Sequence, residues 1–203
     1  MILKKAVITN FRGINGSITV NFDLFNCIVG QNDAGKSTIL KALDASLNET
    51  TLSRADYNVQ AQDNQIIVEL FFDCKNKQYL LGEEILTTIE SEELTNEENL
   101  LVWKKVWNVT ETNVSKPKTS IVRKKYNGNS DFISKTEAQL IAQCTANAIA
   151  TAKGNGEAYN NVEKREKLRE FNQQNNIAFT YEVEEIPGTG TSKLKAIGDA
   201  IKK

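Results

Sequence analysis

Gly30-Gln31-Asn32-Asp33-Ala34-Gly35-Lys36-Ser37-Thr38 matches the pattern G-x-x-x-x-G-K-[ST], and its reading governs that of the rest of the chain. A backbone that wraps a polyphosphate must turn several N–H groups inward, and glycine permits this because it carries no Cβ. At this spacing Lys36 would set an ammonium against the outer phosphates, and Ser37 would offer its hydroxyl to a magnesium ion. The positive end of the following helix would strengthen the field. The pattern requires a strand before it and a helix after it. Phe25 to Val29 is a short apolar run, with Cys27, Ile28 and Val29 leading into the loop, so a strand is expected there. Ile39, Leu40, Leu43 and Leu47 recur at helical spacing and predict a helix from about Lys36.

Upstream, residues 2 to 11 read as a first strand, and Ser17 to Phe22 alternates polar and apolar, with Ile18, Val20 and Phe22 on the core side. Gly13 and Gly16 mark the turn between them. Downstream, residues 48 to 64 are polar and aperiodic and read as a connection. Ile66 to Asp73 is a strong strand that mimics a Walker B motif, but Glu69 interrupts the run and no second acid stands beside Asp73. The acidic stretch from Gly82 to Asn99 reads as a solvated face. Leu101 to Val109 alternates, with Trp103 and Trp107 on one side and Lys105 breaking that face. The neighbouring Lys104, Lys116, Lys118, Arg123, Lys124 and Lys125 fit either a solvated sheet face or a nucleic-acid surface. Ser134 to Ala152 and Glu157 to Gln174 predict two helices, the second highly charged with Tyr159, Val162, Leu168 and Phe171 as its sparse apolar positions. Ile177 to Val183 alternates as a last strand.

The 203 residues carry a formal charge of −1, a pI near 5.7 and 40% hydrophobic residues, which gives a globular chain without a global basic field. There is no histidine, so a His-ligated zinc site, a Ser-His-Asp triad and a Cys-His nucleophile are all excluded. Cys27, Cys74 and Cys144 are far apart and lack C-x-x-C spacing; they read as small apolar residues of a reducing compartment. No long apolar run or signal-peptide core is present, so no membrane contact is expected and the cytoplasm is the expected location.

Thr9-Asn10-Phe11-Arg12-Gly13-Ile14, the hairpin strand Ile18 to Phe22, and Val29 to Leu43 together resemble the amino-terminal pattern of ABC-type ATPases of the RecF, SMC and OLD (overcoming-lysogenization-defect) group. Asp33-Ala34-Gly35 is most similar to the OLD-family nucleases, including ATPase subunits of anti-phage systems such as Gabija. The resemblance covers about the first 50 residues. It implies an α/β P-loop fold with a mixed sheet, an antiparallel β-subdomain and a helical lobe. The expected division is a core over residues 1–130 and a lobe with the start of a following segment over residues 131–203. It implies ATP and Mg2+ as cofactors, with Asn10, Arg12, Gly30, Asn32, Ala34, Gly35, Lys36, Ser37 and Thr38 around the nucleotide. Ser37 would ligate the metal, and Lys36 and Arg12 would act on the phosphates. A guanidinium suits a phosphate through its fork of donors. A carboxylate in a phosphate loop is unfavourable unless it points away, so Asp33 is expected to face solvent or a partner.

An ATPase of this group also needs a Walker B carboxylate pair and a serine-glycine signature loop, and neither motif appears. The expectation is therefore the front part of a longer protein, working as a homo-oligomer through its ATPase heads, with DNA and a partner helicase or nuclease as further partners. A nucleotide-regulated interaction protein that binds ATP without turnover stays open as the alternative. A GTPase is weakened by the lack of an N-K-x-D motif.

Overall fold

The computed structural model describes residues 1–30, 35–48, 50–75, 77–80, 85–128, 131–187, 195–196 and 198–199. The chain divides into two compact units: residues 1–73 with 100–121, and residues 74–99 with 122–203.

The first unit is built on an antiparallel sheet. β1 (Ile2–Thr9) turns through Gly16 into β2 (Ser17–Asn21), and β1 also pairs antiparallel with β3 (Gln65–Asp73). Beyond β4 (Gln78–Leu80) and β5 (Leu86–Thr88), which belong to the second unit, β6 (Leu101–Asn108) pairs antiparallel with β3, Glu69 standing opposite Lys104. The start of β7 (Lys118–Tyr126) closes the unit's sheet against β6, with Trp103 opposite Ile121. Alternation explains these strands: Ile66, Val68 and Leu70 are fully buried while their neighbours are half-exposed. β3 lies between antiparallel neighbours, and Glu69 is ion-paired to Lys104 at 3.0 Å. Trp103 and Trp107 are buried, so neither indole offers a face for stacking bases, and Lys105 is buried among them.

α1 (Lys36–Leu47), the helix its periodicity predicts, lies against β3. Thr38, Ala42, Ala45 and Ser46 are buried, at helical spacing, whereas Leu40 is 59% and Leu47 44% exposed. The buried positions are thus held by small residues, while Ile39 and Leu43 are half-buried. The strand expected at Phe25 to Val29 is absent: the segment is irregular and pairs with none of the described strands. A buried parallel strand requires neighbours to take its backbone hydrogen bonds. Here Leu24, Phe25 and Val29 are each more than 80% exposed.

The second unit contains a two-stranded ribbon, β4 (Gln78–Leu80) with β5 (Leu86–Thr88), and the helices α2 (Glu137–Ala146) and α3 (Asn161–Gln174). β8 (Phe179–Glu185) lies beside β7. Phe132, Leu140, Cys144 and Leu168 form a small apolar core. α3 otherwise turns charge inward: Lys164, Arg165, Arg169 and Asn172 are buried with Leu168, while Tyr159, Val162 and Phe171 are only half-buried. The reason lies in the acidic stretch expected to be solvated. Glu92 is buried and accepts Arg165 Nη2–H at 2.8 Å and Arg169 Nη2–H at 2.5 Å, and the Thr87 hydroxyl completes its shell. Burial alone would raise the Glu92 carboxyl; the charge of Arg169 and the hydrogen bonds of Arg165 outweigh it and hold the group below the ordinary carboxylate range. Arg169 also donates to Ser91 O at 2.8 Å, which ties the helix to the backbone of the turn. Cys74 and Cys144 are buried as expected, but Cys27 is exposed; all three are free thiols.

Candidate nucleotide-binding site

Gly35 adopts φ +83°, the left-handed region, immediately before α1. Only glycine enters it without a Cβ penalty. The helix it introduces has no side-chain cap and no acid in its first turn. α2 and α3 differ: Thr136 with Gln139, and Asn160 with Glu163, each form a complete capping box. Backbone N–H groups at the start of α1 are therefore left to an acceptor from outside the helix, with the positive end of the dipole behind them. Thr38 N and Ile39 N turn back to Gly35 O at 3.0 and 3.3 Å.

Lys36 reaches across the loop and donates from Nζ to Gly30 O at 2.6 Å, joining the residue that opens the pattern to the helix that closes it. Ser37 is exposed and Thr38 is buried, so of the two hydroxyl residues Ser37 is the one open to a metal. That fits a magnesium ion carried in by phosphates, which needs few protein ligands. Among the described residues there is also no group of His, Cys, Asp or Glu that would hold a metal unaided. Asn32 and Ala34, which the sequence assigns to the cradle, and Asp33 lie outside the described residues.

Asn10 and Arg12 are both left-handed, at φ 57° and 53°. Asparagine tolerates that region; arginine has no intrinsic preference for it, so contacts must hold it there. The Asn10 side chain is buried and committed at both ends, donating to Gln65 O at 3.1 Å and accepting from Gly16 N at 3.1 Å. It shapes the turn that carries Arg12. Arg12 N donates to Asp56 O at 2.8 Å, and Asn58 Nδ2 donates to Arg12 O at 2.7 Å. The guanidinium donates from Nε and Nη2 to Asp56 Oδ1 at 2.8 and 2.7 Å. Asp56 is the N3 residue of a capping box opened by Ser53, whose N and Oγ donate to Asp56 Oδ2 at 2.9 and 3.0 Å. Burial pushes the Asp56 carboxyl up, but the Ser53 and Arg12 contacts bring it below the ordinary range. Sequence reading passed over Asp56 inside an aperiodic connection. The S-x-x-D spacing of Ser53 and Asp56 was the available signal.

A mixed α/β fold with a mainly antiparallel sheet, in which a left-handed glycine and a lysine open an uncapped helix, defines the class as a nucleotide-binding domain. A family model described as an AAA ATPase domain matches residues 1–201, and the chain belongs to that family. No curated protein matches the sequence. Among the described residues no helix is long and apolar enough to cross a membrane.

Proposed function

We propose that the chain is the ATP-binding N-terminal portion of an OLD- or RecF-like ABC-type ATPase, akin to those of Gabija-type systems, acting in the cytoplasm in DNA processing or anti-phage defence. In this reading Mg-ATP binds at a site completed across a dimer of ATPase heads. The observation that carries it is the junction at Gly35 and Lys36: a left-handed glycine, an uncapped helix start and an ammonium bridging back to Gly30. Lys36 neutralises the outer phosphates, the start of α1 donates N–H groups to them, Ser37 directs its hydroxyl to the metal, and Arg12, its charge balanced by Asp56, offers them oriented N–H donors. Magnesium, when bound, offsets charge between neighbouring phosphate oxygens. The exposed Leu24, Phe25 and Val29, which precede the loop in the chain, and Leu40 on the helix that follows it support a composite site, because exposed apolar residues mark surface that other protein covers.

The same exposed face would serve an interaction protein that binds ATP without turnover, and one experiment separates the two. ATP titrations with and without Mg2+ are expected to show tighter binding with the metal, and Ser37→Ala is expected to remove most of that gain, about tenfold. Turnover by residues 1–203 is expected to be negligible and to appear when segments supplying an Asp-Glu pair and a signature loop are present. Vigorous hydrolysis by residues 1–203 alone would overturn the composite site; no hydrolysis under any complementation favours the interaction protein.

A further inference from the structure

We propose that Asp56 is a positioning residue that holds Arg12 with one edge of its guanidinium turned outward to meet the terminal phosphate of a nucleoside triphosphate; the inference rests on the reading of the Gly30 to Thr38 loop given above. A guanidinium carries five N–H donors in a rigid planar fork. Asp56 Oδ1 takes the Nε and Nη2 side of that fork, at 2.8 and 2.7 Å. The end of the fork, between Nη1 and Nη2, is the edge that matches two oxygens of a phosphate. No acceptor among the described residues meets Nη1, and 32% of the Arg12 side chain remains exposed.

Asp56 is itself fixed. Its second oxygen is held by Ser53 from both backbone and side chain, and its carbonyl holds Arg12 N. The guanidinium is thus gripped through a carboxylate that has no freedom to follow it. A surface ion pair serving stability alone has no need of an arginine at φ 53°, where asparagine or glycine would sit with less strain. Because the Arg12–Asp56 pair is neutral overall, its contribution to phosphate binding is orientation rather than added field.

A double-mutant cycle tests this with affinities for Mg-ATP and Mg-ADP read by calorimetry and a melting temperature recorded for each protein. Arg12→Ala and Asp56→Ala are each expected to weaken ATP about tenfold, with ADP within about twofold, and the double variant is expected to be no weaker than Arg12→Ala. A lower melting temperature with an unchanged ATP-to-ADP ratio in Asp56→Ala would make Asp56 structural only and overturn the proposal. Should Asp56→Ala not fold, Asp56→Asn, which keeps an oxygen for Ser53 but removes the charge facing Arg12, is read by the same ratio. If Lys36→Ala loses both nucleotides while the Arg12 and Asp56 variants bind as the wild type does, the positioning role falls and the cradle stands. If the wild type binds neither nucleotide, both fall together.

Discussion

Lys36→Ala is expected to weaken ATP binding on the order of a hundredfold, because it removes a charge-assisted hydrogen bond of about 1.5–3 kcal/mol from a site where the ligand is a polyanion. Its effect on folding should be small. Its hydrogen bond to Gly30 O is made in an exposed position, and exposed substitutions of this kind stay within about 0.5 kcal/mol. A shift of no more than about 2 °C in melting temperature is therefore expected for a chain of this size. The separation matters, since weaker binding by a partly unfolded protein would say nothing of the cradle. Lys36→Arg keeps the charge but enlarges the head group, and should fall between the two. Equal ATP affinity in the wild type and Lys36→Ala would dispose of the phosphate site altogether, whatever the loop's sequence.

The parts of the fold legible in the sequence are those set by local alternation. β3 buries every second residue and β1, β2 and β6 alternate in exposure over part of their length, and a two-residue period survives any tertiary arrangement that leaves one face dry. Tertiary partners decide the rest. Phe25 to Val29 has strand composition and forms no strand, because nothing in the described sheet lies beside it. In α1 the helical period was legible, but not that Thr38, Ala42, Ala45 and Ser46 would be its buried residues. α3 defeats periodicity in the other direction: its inward positions are Lys164, Arg165 and Arg169, which no hydrophobicity pattern selects. At the candidate site the glycine pattern was legible because its spacing is fixed by backbone geometry. Asp56 stands 44 residues from Arg12, and only the turn geometry of both segments brings them together.

Glu92→Ala should be the most destabilising single change in the second unit, by about 3–5 kcal/mol, because it leaves Arg165 and Arg169 buried without their carboxylate. For a chain of about 200 residues that corresponds to a fall of roughly 10 °C or more in melting temperature. Glu92→Gln keeps the shape and one acceptor oxygen but removes the charge, and should cost a large part of the same amount. Acid should act through the same group. Its folded carboxyl lies below the ordinary value of ~4.3, so its stabilisation is complete above that value and is lost as pH falls through the lower folded one. The wild type is expected to lose stability below about pH 5, and Glu92→Gln should show a flatter decline over the same range. Removing all three charges together, with Glu92→Leu, Arg165→Met and Arg169→Leu, should recover most of the loss from Glu92→Ala, since a buried ion cluster adds little over apolar packing once no charge is stranded. Melting curves for the wild type, the two single variants and the triple variant from pH 3 to 8 decide it. If Glu92→Ala melts with the wild type, the cluster does not hold α3 to the turn at Ser91, and α3 would have to be held through Leu168 and its apolar neighbours instead.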